Sequence, residues 1–224
     1  MNVSEPVYSV SYPLPMPLKI VRRFLFVLAP VVLSAFAFAA APADNEAAVA
    51  PVKGLCDSLV ASMKQGTALD FAGRVKLLEP EIRRDLNLPF MTRIIVGRTW
   101  KTFSPTDQEA LVKAFSDYSI GTYAQRFKSY SGERFEVDPI SVPASEANGD
   151  RIVHTKLFTG DPNPVQLDYL VRKSDGGWQV IDVFLSGTIS EIAARRSEYS
   201  TVLRQGGAQA LIQLLQKKTT DFGH

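Results

Sequence analysis

The periodicity of this chain changes from helical to strand-like at Ser131-Gly132, and that change limits the folds open to it. Before it, apolar residues recur every three to five positions, the spacing of one face of a helix. After it, four segments read as strands: Arg134 to Val142, Arg151 to Thr159, Val165 to Lys173 and Trp178 to Leu185. In the third, Val165, Leu167, Tyr169 and Val171 alternate with Gln166, Asp168, Leu170 and Arg172, as in an antiparallel strand with one face covered. Ser174-Asp175-Gly176-Gly177 supplies a tight turn into the fourth. Helical spacing then returns in two stretches, Ile189 to Arg204 and Ala208 to Thr219, separated by Gly206-Gly207. Helices, then a curved antiparallel sheet of about four strands, then two helices is an α+β order, with helices packed on one sheet face.

The helical half has its own punctuation. A first helix is expected from Val52 to Lys64, ending at Gly66, and Asp70 is placed to cap a second running to Glu79. Short helices follow from Pro80 to Asn87 and from Pro89 to Thr99, the latter carrying Phe90, Ile94 and Ile95 on one side. Ser104-Pro105-Thr106-Asp107 is the clearest helix start: a capping serine, a proline at the first helical position and an acid at the positive end. The helix is expected to reach about Tyr130. Leu111, Phe115, Tyr118, Tyr123, Phe127 and Tyr130 form a broad apolar and aromatic stripe along it.

The N-terminus carries an address. Lys19, Arg22 and Arg23 precede an apolar run from Phe24 to Phe38, and Ala37-Phe38-Ala39 offers the small residues that a signal peptidase requires. The run falls short of the roughly 20 residues that span a bilayer. Residues 1–39 are therefore expected to be a cleaved signal, with Met16 as an alternative start. Residues 40–51, rich in alanine with Pro42 and Pro51, are expected to be a disordered leader, and 52–222 to be the domain. The segment before the lone Cys56 (Lys53, Gly54, Leu55) is no lipobox. Cys56 shares an apolar stripe with Leu59, Val60 and Met63, so it reads as buried.

Charge excludes one class of partner. The net charge is +2, from 25 basic and 23 acidic residues. Residues 1–39 hold three of the basic residues and one acid, Glu5, which leaves 22 against 22. A neutral domain lacks the positive face that nucleic acid needs.

Catalytic groups are sparse. The two histidines are His154, mid-strand, and the terminal His224, and with one cysteine they make no metal cluster, phosphate loop or nucleophilic triad. No metal or cofactor is expected. Asp168 and Asp182 fall on strands that pair across the Ser174–Gly177 turn, with Tyr169 at hand, so an acid–base enzyme on an apolar substrate is one alternative. Alternation puts Asp168 away from Leu167 and Tyr169, and both carboxylates are expected to be solvated on the outer sheet face. An envelope assembly factor whose apolar stripes are only core is a second alternative.

The run Gly177-Trp178-Gln179-Val180-Ile181-Asp182-Val183-Phe184-Leu185-Ser186-Gly187-Thr188-Ile189-Ser190 resembles the strand-to-helix segment of the MlaC family, the toluene-tolerance auxiliary proteins. Glu191 to Ser200, Gly206-Gly207, Leu211 to Lys218, Val96 to Trp100 and Gly121 to Ala124 continue the match, which covers about Val52 to Lys218. Within the family, Leu185 to Tyr199 looks most like the hopanoid-associated HpnM branch. Gly187-Thr188-Ile189-Ser190 and Ala194-Arg195-Arg196 stand where MlaC proper tends to have Gly-Val-Ser-Leu and Asn-Tyr-Arg.

The resemblance implies a nuclear-transport-factor-like sheet with helices, and phospholipid or hopanoid cargo held between them without chemistry. It also implies the periplasm, transient membrane contact, an inner-membrane ABC transporter complex, and an outer-membrane lipoprotein/porin complex or RND-type exporter as partners. Cargo between the long helix and the sheet gives the expected lipid-binding set: Ile94, Ile95, Phe115, Tyr118, Tyr123, Phe127, Leu157, Leu167, Tyr169, Val171, Val183 and Leu185.

Overall fold

A computed structural model describes residues 40–144 and 148–223. The expected signal, residues 1–39, and the terminal His224 lie outside the described residues. Within them the chain is α+β. Helices α1 (Ala40–Gln65), α2 (Phe71–Asp85), α3 (Leu88–Val96) and α4 (Pro105–Arg126) precede strands β1 (Arg134–Val137), β2 (Val142–Pro143), β3 (Arg151–Phe158), β4 (Val165–Ser174), β5 (Gly177–Leu185) and β6 (Ile189–Ser190). Helix α5 (Glu191–Asp221) closes the fold. The strands form one antiparallel sheet in the order β1-β3-β4-β5-β6, with β2 beside β1 on β3.

The expected disordered leader is helical: α1 begins at Ala40 and runs unbroken through Pro51. Alanine has the highest helix propensity, and tertiary contacts hold the segment. Ala48 and Val49 are buried with Val52, Leu55 and Leu59. Asn45 donates to the Pro139 carbonyl at 2.9 Å and accepts from the Ser141 amide and hydroxyl at 2.8 Å. Asp44 accepts from Lys173 at 2.7 Å and from the Trp178 indole at 3.3 Å. The sheet therefore orders a stretch whose composition alone reads as a linker.

Other boundaries moved for local reasons. Helix α2 continues through Pro80 because Leu78 and Ile82 on either side of it bury in the core. Asp70 caps it, accepting from the Gly73 amide at 2.7 Å. Helix α4 stops at Arg126, four residues short of Tyr130, where Phe127 leaves helical geometry (φ −106°, ψ 53°). The first expected strand is split at Pro139, so four strands become six with β6. Ile189 and Ser190 pair with β5, and the helix begins at Glu191, capped by the Ser190 hydroxyl. The two C-terminal helices are two arms of α5, bent at Gly207 (φ 61°, ψ −149°), a conformation that side chains strongly disfavour.

Candidate functional site

Helix α4 is fixed at its start by Ser104, whose hydroxyl accepts from the Asp107 amide at 3.1 Å, and by Pro105 in the first turn. Its register then turns Phe115, Tyr118, Ser119, Thr122, Tyr123 and Arg126 to one side at steps of three and four. Opposite lie Leu167 and Tyr169 of β4 and Val183 and Leu185 of β5. The ladder sets them as two direct pairs, Leu167 with Leu185 and Tyr169 with Val183. Leu86 and Met91, from either side of the α2–α3 junction, complete the apolar wall, and Glu191 and Arg195 of α5 stand at the polar edge. Helix and sheet do not close on each other: they enclose a cavity of about 170 Å³.

Eight of the twelve residues expected to bind lipid thus line one cavity: Phe115, Tyr118, Tyr123, Phe127, Leu167, Tyr169, Val183 and Leu185. The other four do not. Val171 is fully buried in the core further along the same face of β4, next to the point where β5 carries an extra residue, Ile181, between the partners of Leu170 and Val171. Ile95 is in the closed core and Ile94 packs against it. Leu157 is half-buried toward the β1 side of the sheet, between Phe135 and Val165. Sequence reasoning missed Leu86, Met91, Ser119, Thr122, Arg126, Glu191 and Arg195. The α4 members repeat every three to four residues from Phe115, and their polarity hid them in a search for an apolar stripe.

Two of the cavity's phenols, Tyr123 and Tyr169, and the Cys56 thiol beside Tyr169 are chemically quiet. Burial pushes the Tyr123 phenol well above its usual range. Nearby Glu191 pushes it further and Arg126 opposes. Tyr169, 2% exposed, is raised by burial and by the neighbouring Cys56, and Cys56 is itself pushed up by burial to about 12. None of them is poised as a nucleophile or base near neutral pH.

The carboxylates expected to be solvated are buried. Asp168, 6% exposed, lies 3.0 Å from His154 Nδ1 and accepts from the Gln166 amide at 3.0 and 3.2 Å. The turn at Ser186-Gly187 covers it: a side chain at Gly187 would come within 3.2 Å of its Oδ2. Asp182, 9% exposed, accepts from the Val183 and Ile192 amides and the Ser190 hydroxyl, and so fastens the start of α5 to β5. Tyr169 faces the cavity while Asp168 and Asp182 are spent on these contacts, so the three do not converge on a substrate. Among the described residues, no group of three or more His, Cys, Asp and Glu could hold a metal, and no helix is long and apolar enough to cross a membrane.

Comparison with known proteins fits this geometry. The phospholipid-binding protein from Ralstonia solanacearum, solved in complex with a phospholipid, has a similar structure: the TM-score is 0.68 at 25% identity, covering 79% of this chain and 99% of that one. The family model for the MlaC protein matches residues 53–217. This helix-and-sheet domain, with a cavity between its layers, belongs to the MlaC family.

Proposed function

We propose that the chain is a periplasmic lipid-binding and transfer protein, released from its signal after Ala39. It carries one phospholipid or hopanoid between an inner-membrane ABC transporter complex and an outer-membrane lipoprotein/porin complex or RND-type exporter, and leaves it chemically unchanged. The observation that carries this reading is the cavity between α4 and the β4–β5 pairs, apolar on the sheet side and polar along the α4–α5 edge. A phospholipid in a structurally similar protein supports it. The likeness of Leu185 to Tyr199 to the HpnM branch keeps a hopanoid among the cargoes.

A carrier answers a physical need. Two sixteen-carbon tails cost about 0.8 kcal/mol per methylene to expose to water, roughly 25 kcal/mol together, so free lipid is effectively absent from an aqueous compartment. A cavity of about 170 Å³ is close to the ~150 Å³ that accommodates a benzene, far less than two acyl tails. Loading therefore widens it. Tyr123, Phe127, Leu167 and Val183, all half-buried, are the walls placed to part.

The test is solvent extraction of the purified protein followed by mass spectrometry. One unaltered lipid per chain is the expected result. An empty protein that takes up no lipid from vesicles, or one that converts the lipid, sinks the carrier reading.

A further inference from the structure

The edge of the cavity along α4 and α5 is charged in an uneven way. Arg195, with 14% of its side chain exposed, is held on three sides: Nε donates to Glu191 at 2.8 Å, and Nη1 donates to Glu198 at 2.8 Å and to the Tyr118 hydroxyl at 3.1 Å. Lys218 donates to Glu198 at 2.5 Å. In this chain of Glu191, Arg195, Glu198 and Lys218, two carboxylates meet two cations and the charges cancel. Arg126, on the facing wall, is left over. It is exposed, lines the cavity and has no carboxylate partner among the described residues. It lies close enough to the Tyr123 hydroxyl to act on it together with Glu191. Arg195 also keeps Nη2 without a protein partner among the described residues, beside the same space.

Two hydroxyls on the α4 wall accept rather than donate. The Ser119 hydroxyl donates back to the Phe115 carbonyl at 2.7 Å and Thr122 to the Tyr118 carbonyl at 2.8 Å, so both offer only lone pairs to the cavity. An uncompensated guanidinium, spare N–H groups and two acceptor hydroxyls therefore border an apolar chamber. That combination matches an anion carrying hydroxyls next to a hydrocarbon tail.

We propose that this edge seats the headgroup of the cargo, and that Arg126, with Arg195 behind it, selects lipids bearing a phosphodiester anion and a hydroxyl-rich head over uncharged lipids with the same tails. The inference rests on the carrier reading and narrows it. Arg126 also suits the negative end of α4; that role alone would give its loss an effect on stability and none on the class of lipid bound.

The experiment uses the delipidated protein and phosphatidylcholine vesicles doped equally with phosphatidylglycerol and diacylglycerol of identical tails. Bound lipid is measured by extraction and mass spectrometry. The wild type is expected to enrich phosphatidylglycerol over diacylglycerol about tenfold, the size of one charge-assisted contact. Arg126→Gln should bring the ratio toward one. Arg126→Lys should restore part of it, because the charge returns without the fork. Glu191→Gln should raise the ratio, since it removes a repelling carboxylate and leaves the Arg195 charge less neutralised. A wild type that takes up both lipids equally, an unchanged ratio in Arg126→Gln, or a lowered ratio in Glu191→Gln overturns the headgroup assignment and leaves the carrier reading intact. Uptake of none of the three lipids, the host phosphatidylcholine included, sinks both. Millimolar inorganic phosphate should not displace phosphatidylglycerol; displacement would mark a free-phosphate site and overturn the assignment.

Discussion

Leu167 and Val171 are two positions on one face of β4 by simple alternation, yet they sit in different environments. Leu167 is half-buried and borders the cavity; Val171 is fully buried beyond the register shift. An aspartate at each position should separate them. Leu167→Asp, and likewise Phe127→Asp, places a carboxylate where water reaches once the lipid has left. Each variant should stay folded, at a cost of about 1–2 kcal/mol, and lose its lipid. Val171→Asp buries an unpaired charge and should unfold the domain. Circular dichroism with lipid extraction on the three variants checks this; unfolding of Leu167→Asp and Phe127→Asp would show that those walls belong to a closed core. The alternation that placed Leu167 and Tyr169 is visible in the sequence. That the same face is closed over Val171 is not, because the core that covers it comes from distant parts of the chain. The polar wall residues were legible in spacing and hidden by their chemistry.

At the scale of elements, sequence signals worked where the cause is local. Asp70, Ser104 and Ser190 each accept from the amide three residues on, as capping requires, although the last was read as one position inside the helix. The signals failed where the cause is distant. Residues 40–51 are ordered by Asp44 and Asn45 reaching strands and loops more than ninety positions away, contacts that no local window contains. The bend in α5 shows the local kind of cause at its clearest. Gly207 holds φ 61° and ψ −149°, and a Cβ there would find its nearest contact at 3.9 Å, so backbone strain and not crowding decides the outcome. Gly207→Ala should cost about 1–3 kcal/mol. A shift of that size in the urea midpoint at unchanged m-value is the expected result. No change would mean that the bend relaxes into a straight helix.

For the whole molecule, the buried phenols and thiol make stability depend on alkaline pH with a defined sign. The Cys56 thiol ionises at about 12 in the folded chain against an ordinary value of 9.0. Below about 9 both states hold the proton and the stabilisation is complete. Between about 9 and 12 the unfolded chain releases the proton first, so stability falls by up to about 1.4 kcal/mol per pH unit from this group. Tyr123 and Tyr169, also raised by burial, add losses of the same sign from about their ordinary value of 10 upward. Denaturant titrations at successive pH values should show stability dropping above about pH 9, and Cys56→Ala should remove the earliest part of that drop. A flat profile to pH 11 in the wild type would show that these groups reach solvent while the protein is folded. Burial of the thiol and the α+β order were legible in the sequence; the cavity was not, because periodicity marks which faces are apolar and says nothing of how far apart two such faces are held.

That the chamber is small has a consequence for traffic. A rigid, lipid-sized hollow would be left wet or empty at each delivery, and the protein would cling to its load to avoid that state. Walls that settle toward one another regain contacts as the load departs, so the empty form is a comfortable resting state instead of a damaged one. For the carrier proposed above, handover would then lie near balance and its direction would follow supply, from lipid at high chemical potential to lipid at low.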